Sequence, residues 1–154
     1  MREDSQALLR PMLDEDIPTV IALEDRIYPH GWTEGIFRDC LRVHYSCWVL
    51  EQGAEIIGYG IMSVAVGEAH ILNIAIAPEF QSKGHGREML MHLLETGKRL
   101  GAQDAFLEVR SSNRIAVRLY DTIGFHQVGL RSDYYPAEKG REDAVIMARE
   151  LSYI

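Results

Sequence analysis

Three places in this sequence carry residue types at a spacing that could do chemistry. The first is Ile74-Ala-Ile-Ala-Pro-Glu-Phe-Gln-Ser-Lys-Gly-His-Gly-Arg, residues 74–87. An apolar, strand-like run enters a turn with Gly84 and Gly86 that opens a helix-like one. Amides at a helix start have no intrahelical partner and carry the positive end of the dipole. Glycine lets an anion come close to the main chain, so a phosphate or pyrophosphate would fit. A Walker A loop is excluded, because Arg87 and Glu88 follow Gly86 where Lys and Ser or Thr are needed. A dinucleotide fingerprint is excluded, because position 89 is Met and not a third small residue. What is left is Q-x-x-G-x-G, Gln81 to Gly86, with Ser82, Lys83 and His85 between. A plain helix-start turn satisfies that pattern as well.

The second place is Glu108. In the strand-like run 105–109, Ala105, Leu107 and Val109 share one face, Phe106 and Glu108 the other. A carboxylate on a helix-covered sheet is costly unless hydrated or paired. Glu108 is therefore either a proton acceptor, strengthened as a base by partial burial, or a solvated strand end paired with Arg110 or Arg114. The third place is Tyr120, on the apolar face of a helix-like segment. A phenol with its ordinary pKa near 10 keeps its proton at neutral pH and can donate it; a core aromatic with a satisfied hydroxyl is the other reading. Trp32, Tyr134 and Tyr135 fall in two segments that read as loops, beside Glu34, Asp133 and Glu138. They could pack, or line a groove for a basic peptide end.

The elements that must hold these residues follow from periodicity. Residues 8–12 predict a strand, then a helix capped by Asp14 or Asp16, with Pro18 in its first turn and a stripe of Ile17, Val20, Ile21 and Ile27. Pro29-His-Gly ends it. Thr33 predicts the cap of a second helix with face Ile36, Phe37, Cys40 and Leu41. Residues 47–52, 56–66 and 69–77 predict strands punctuated by Gly53 and Gly67, an antiparallel meander. A helix over 86–100 ends at Gly101. A strand over 105–109 precedes a helix capped by Ser112 or Asn113, with Ile115, Ala116, Leu119, Tyr120 and Ile123 on one face and Gly124 after its end. Residues 125–130 predict a strand, then a polar loop, then a last strand over 144–149. The expectation is an α/β chain with a mixed sheet.

Length and composition bound the function. One domain is expected from 154 residues. With 47% apolar and 25% charged residues the composition is that of an ordinary globular protein. A net charge of −7 disfavours direct nucleic-acid binding, which needs phosphate-neutralising Lys and Arg. No apolar run approaches the roughly 18 residues that span a bilayer, and Met1-Arg-Glu-Asp-Ser-Gln is too polar for an export signal. A cytoplasmic protein without membrane contact is expected. None of the six histidines has a metal-ligand spacing, so no metal is expected. Cys40 and Cys47 form no CxxC and are expected as buried free thiols.

The Q-x-x-G-x-G loop after A-x-A-P resembles the pyrophosphate loop of the GNAT N-acetyltransferase family. The resemblance continues through Phe106-Leu-Glu-Val-Arg-Ser-Ser-Asn-Arg-Ile-Ala-Val-Arg-Leu-Tyr-Asp-Thr-Ile-Gly-Phe, which is similar to the family's second cofactor segment. Asp133-Tyr-Tyr-Pro-Ala-Glu-Lys-Gly-Arg-Glu-Asp-Ala-Val-Ile-Met resembles the branch that modifies the N-terminal alanine of a ribosomal protein. It implies a GNAT fold, a central mixed, mostly antiparallel sheet of six or seven strands with helices on both faces. It implies acetyl-CoA as cosubstrate and the amine of a protein N-terminus, that of a basic small-subunit ribosomal protein, as acceptor, with direct transfer in a ternary complex. Other amines (other N-termini, lysine, a small amine) and a CoA-binding module without turnover are the alternatives.

By the same resemblance Glu108 is the proton acceptor and Tyr120 the acid toward the departing sulfur. Gln81, Ser82, Lys83, Gly84, His85, Gly86 and Arg87 hold the diphosphate, and Asn113 bonds either the cofactor near its pantetheine arm or the tyrosine, a role compatible with capping its helix. Ile74, Ala75 and Ile76 offer main-chain groups to the pantetheine like an added strand, and an N–H near Ile76 would stabilise the oxyanion, worth on the order of 3 kcal/mol. Trp32, Tyr134 and Tyr135 are the acceptor-groove candidates. Two departures from the family pattern stand out. His85 takes the place of an apolar residue and is expected to face solvent, with phosphate contact the alternative. Pro29-His-Gly precedes Trp32, where the branch has Pro beside the Trp.

Overall fold

The computed structural model describes residues 6–152 and 154. The polar start on which the expectation of no export signal rests lies, through residue 5, outside them. The chain divides into two compact units, Met1–Ser63 with Asn73–Leu93 and Val64–Leu72 with Leu94–Ile154. Seven strands form one mixed sheet in the order β1-β2-β3-β4-β5-β7-β6. They are β1 Ala7–Pro11, β2 Ser46–Gln52, β3 Glu55–Ala65, β4 Glu68–Ile76, β5 Asp104–Arg110, β6 His126–Pro136 and β7 Arg141–Glu150. The helices are α1 Ile17–Ile27, α2 Glu34–Arg42, α3 His85–Arg99 and α4 Arg114–Thr122.

In the first unit, α1 and α2 bury one stripe each. Ile17, Val20, Leu23, Phe37 and Cys40 join Val49, Tyr59, Ile61 and Ala75 in a single core. Thr33 caps α2 as its hydroxyl oxygen accepts from Ile36 N at 3.4 Å. Ile36 itself is 41% exposed, outside the stripe it was expected to join. Neither Asp14 nor Asp16 caps α1 through its side chain. A 3-10 turn over Asp14–Asp16 precedes the helix. In that geometry the Asp16 carboxylate reaches back to Leu13 N at 2.8 Å and takes a two-pronged hydrogen bond from Arg10 at 2.8 and 2.9 Å. That hydrogen bonding holds the Asp16 carboxyl below its ordinary range and ties β1 to the start of α1.

The β2–β3 register, Ser46↔Met62 to Gln52↔Glu55, closes through Gly53 at φ 63°. Gly58 sits where β3 runs closest to β4. A Cβ there would stand 2.8 Å from the Ala75 carbonyl oxygen and 2.6 Å from Ile76 Cδ1. Main chain cannot retreat as a flexible side chain can. Gly58→Val is expected to cost about 3 kcal/mol, the upper end for overpacking. For a chain this long that is a fall in Tm of roughly 6–12 °C by thermal unfolding. Gly35→Ala is the control, because its Cβ would meet only Thr33 Oγ1, at 3.8 Å; Tm is expected to hold or rise.

In the second unit β5 pairs in parallel with β4 over Glu68↔Asp104 to Ile71↔Leu107 and antiparallel with β7 over Asp104↔Glu150 to Arg110↔Ala144. Ala105, Leu107 and Val109 are buried and Asp104, Phe106, Glu108 and Arg110 half-buried, the expected alternation. Two expectations fail here. Residues 131–136 are strand, not loop. β6 continues to Pro136 with register shifts between Gln127 and Gly129 and between Arg131 and Tyr135. At the sheet edge nearly all its side chains are exposed, so polar residues sit there without cost. Ile115 is 86% exposed, because the first turn of α4 is not covered; Tyr120 and Ile123, a turn and more later, are buried.

Candidate active site

The first unit builds the loop. β4 ends at Ile76, and α3 begins at His85, one residue earlier than expected, with its first intrahelical bond from Glu88 N to Gly84 O at 3.0 Å. Ser82 and Gly84 both have positive φ, 65° and 88°. Alternating backbone hand is the conformation in which successive amides line a concavity that suits an anion. A Cβ on Gly84 would meet nothing within 4 Å, so backbone conformation and not crowding asks for glycine there. Gln81 turns inward: its Nε2 donates to Ile76 O at 2.9 Å, which fixes the loop to the strand end. Lys83 Nζ lies over the Phe80 ring at 5.6 Å. His85 does not face solvent. Its side chain is 16% exposed, with Nδ1 3.7 Å from Glu88 Oε1 one turn on. Arg87 is exposed. The donor set, amides at a helix start with Lys83 and Arg87 nearby in sequence, is anion-binding chemistry.

Trp32 lies between α1 and α2, its ring 5.2 Å from Phe37 and its backbone N 2.8 Å from Glu24 Oε2. Glu24 was not singled out by the sequence. It is 2% exposed and also accepts from Tyr59 Oη and from Asn73 Nδ2 at 3.0 Å. Burial and the neighbouring Glu24 charge push the Tyr59 phenol well above its ordinary range. Ile74, beside Asn73, accepts at its carbonyl from Tyr28 Oη at 3.1 Å. Glu34 is paired with Arg38 at 2.7 Å on the α2 surface.

The second unit gathers a charged aromatic cluster on the half-buried face of β5. Glu108 Oε2 accepts from Arg131 Nε at 2.5 Å, with the Glu108 side chain 29% exposed. Neither Arg110 nor Arg114 is its partner. Arg110 is two residues nearer the β6–β7 turn and binds Glu142 Oε1 at 3.1 Å and Pro136 O at 2.8 Å. Burial and the nearby Glu108 charge raise the Tyr134 phenol. Burial and the Glu108 charge push Tyr135 up to about 12. The two rings meet edge to face at 4.9 Å, with Arg110 over Tyr135 at 4.6 Å and Arg131 over Tyr134 at 5.5 Å. Tyr134 and Tyr135 thus join Glu108, on a strand and not in a loop, while Trp32 belongs to the other unit. Arg131 is the residue sequence reasoning missed. Its signal was a cation directly ahead of the Asp133-Tyr-Tyr-Pro motif.

Tyr120 is buried in α4, its ring 6.0 Å from Phe125. Asn113, not Ser112, caps α4, accepting from Ala116 N at 3.2 Å, and Ser112 N instead donates to Glu142 Oε2 at 2.7 Å. Cys40 and Cys47 are free and buried. Burial raises both thiols, Cys47 to about 12.

An anion-suited turn between a strand and a helix, and a paired carboxylate and a buried phenol on consecutive elements, can be set against known proteins. The acetyltransferase (GNAT) family matches residues 16–125. The chain belongs to that family. Among GNAT acetyltransferases, the [ribosomal protein bS18]-alanine N-acetyltransferase of Escherichia coli K12 is 36% identical to it over 137 residues, 89% of this chain and 93% of the relative. The crystal structure of the ribosomal-protein-S18-alanine N-acetyltransferase from Escherichia coli matches with a TM-score of 0.90 and 34% identity, covering 96% and 95% of the two chains. The structure of yncA from Salmonella typhimurium with its cofactor acetyl-CoA shares the fold, with a TM-score of 0.82 at 16% identity over 96% and 95% of the two chains. Acetyl-CoA is the acyl donor of the GNAT family. Among the described residues no group of three or more His, Cys, Asp or Glu is placed to hold a metal ion, and no helix is long and apolar enough to cross a membrane.

Proposed function

We propose that this GNAT acetyltransferase transfers acetyl from acetyl-CoA to the α-amine of a protein N-terminus, and that the acceptor begins with alanine and belongs to a basic small-subunit ribosomal protein. The observation that carries the reaction is Glu108, a half-buried strand carboxylate held by Arg131 beside the Tyr134 and Tyr135 rings. The acceptor identity is supported by the likeness to enzymes named for the alanine of ribosomal protein bS18. The net charge of −7 favours a basic chain as partner.

In this reading residues 82–87 hold the diphosphate through their amides, Gln81 fixes that loop to Ile76, and Ile74–Ile76 hydrogen-bond the pantetheine along the main chain. Asn113 reaches the cofactor with the part of its amide that does not cap α4. Trp32, Tyr134 and Tyr135 receive the peptide. A protein α-amine has a pKa of about 7.7–8.0, so at neutral pH most of it is charged and cannot attack. Glu108 takes its proton. The neutral nitrogen forms the new N–C bond, the C–S bond breaks, and Tyr120 gives its phenolic proton to the departing sulfur; the second proton that the nitrogen sheds on becoming an amide goes to solvent, from which the Tyr120 phenolate regains its own. Arg131 fixes the Glu108 carboxylate in one orientation.

Thiol release from acetyl-CoA with basic peptides tests the assignment. Peptides starting with Ala, Ser and Gly are compared with the same Ala peptide blocked by N-acetylation. Turnover is expected to be fastest with free Ala and absent with the blocked peptide. Equal turnover of the blocked peptide would assign the activity to a lysine or another amine. A Tm raised by acetyl-CoA with no thiol released by any amine would leave a binding module.

A further inference from the structure

One buried charge in the first unit has no part in the chemistry above. Glu24 projects from α1 into the core at 2% exposure. A buried carboxylate is expensive unless its oxygens are hydrogen-bonded, and here both are. Oε1 accepts from Tyr59 Oη and from Asn73 Nδ2. Oε2 accepts from the main-chain N of Trp32. Four separate elements of the chain therefore converge on one side chain: α1, β3, β4 and the connection between α1 and α2.

Two of those elements have roles in the proposed reaction. Asn73 directly precedes Ile74–Ile76, the stretch assigned to the pantetheine, and Ile74 O is held by Tyr28 Oη at 3.1 Å, while Tyr28 N bonds Glu24 O at 2.9 Å. Trp32 is an acceptor-groove residue. The contact on the loop side is close: a Cβ on Gly31 would stand 2.7 Å from Glu24 Cγ and 2.9 Å from Glu24 Oε2. The main chain at Gly31 and Trp32 thus rests directly on this carboxylate. Hydrogen bonds to an ionised oxygen are about twice as strong as neutral ones, and removing the acceptor leaves three donors without it.

We propose that Glu24 is a positioning residue of the acceptor site, fixing the Gly31–Trp32 main chain against the cofactor-binding strand. This rests on the function proposed above. Glu24 touches neither substrate; it sets where Trp32 stands. It acts on acceptor binding: its tie to the cofactor-binding strand is to the Asn73 side chain, which is not among the groups assigned to acetyl-CoA, and no hydrogen bond links it to the diphosphate loop among the described residues.

Two variants test this independently. Glu24→Leu keeps the side-chain bulk and removes the acceptor oxygens. Gly31→Ala removes no hydrogen-bonding group and pushes the loop off the carboxylate. The readouts are the peptide KM from thiol release and the acetyl-CoA Kd from calorimetry. Each variant is expected to raise the peptide KM by about tenfold or more while the acetyl-CoA Kd stays within about twofold, a split that general loss of structure does not give. A peptide KM unchanged in both variants, or a Kd rising in step with KM, overturns the proposal. If Glu24→Leu fails to fold, Gly31→Ala, one added methyl at a half-buried loop position that keeps every hydrogen-bonding group, decides alone. A wild-type protein that turns over no peptide would instead overturn the enzymatic reading, a different result.

Discussion

Glu108→Gln is expected to lower kcat/KM for an alanine-starting peptide by about 10²–10⁴-fold, the range general-base removal gives. Glutamine keeps the length of the side chain, and its amide oxygen can still accept from Arg131, the group that holds Glu108 now. What is lost is a site for the amine's proton. Acetyl-CoA affinity should stay within about twofold, because the loss lies in the chemical step. Raising the pH supplies a second check. Above about pH 8 most of the α-amine is already neutral, so the deficit should narrow as pH rises. A Glu108→Gln variant with near-normal rates at pH 7 would return the residue to the role of a solvated strand carboxylate.

Tyr120→Phe should act on kcat by about 10–100-fold, at the low end of acid–base effects. The reason is the leaving group: a thiol has a pKa near 8.5, so its anion is a tolerable product without assistance. The ring contact with Phe125 at 6.0 Å survives the change, so both KM values should hold. Steady-state rates at saturating peptide and acetyl-CoA separate the two cases. Unchanged kcat would make Tyr120 a core aromatic alone.

Much of the architecture is written locally. Alternation and two glycine turns define β2, β3 and β4, and Thr33, Asn113 and Gly124 mark helix ends by chemistry that needs no partner elsewhere. The turn over Gln81–Gly86 is local in the same way. What is not local was not legible. Arg131-Ser-Asp-Tyr-Tyr-Pro reads as loop because an edge strand exposes polar side chains. Only its pairing with β7 makes it a strand, and only that pairing brings Arg131 to Glu108. Sequence proximity offers Arg110 or Arg114 as partners of a solvated Glu108, but a residue 32 positions from Arg110 claims that arginine. Glu24 is instructive because the sequence did hold a signal. It falls on the helical spacing of Ile17, Val20, Ile21, Ile27 and Tyr28, the stripe that faces inward. An acid on that stripe demands donors, and Tyr59, Asn73 and Trp32 N are supplied from three other segments.

The two sequestered cysteines have a practical consequence. With Cys47 titrating near 12 and Cys40 raised in the same core, the folded protein offers chromogenic disulfide reagents almost no reactive sulfur at assay pH. Colour in such a measurement therefore reports liberated coenzyme and nothing from the catalyst. Were denaturation to occur during a run, it would announce itself as a stoichiometric step of two sulfhydryls per chain.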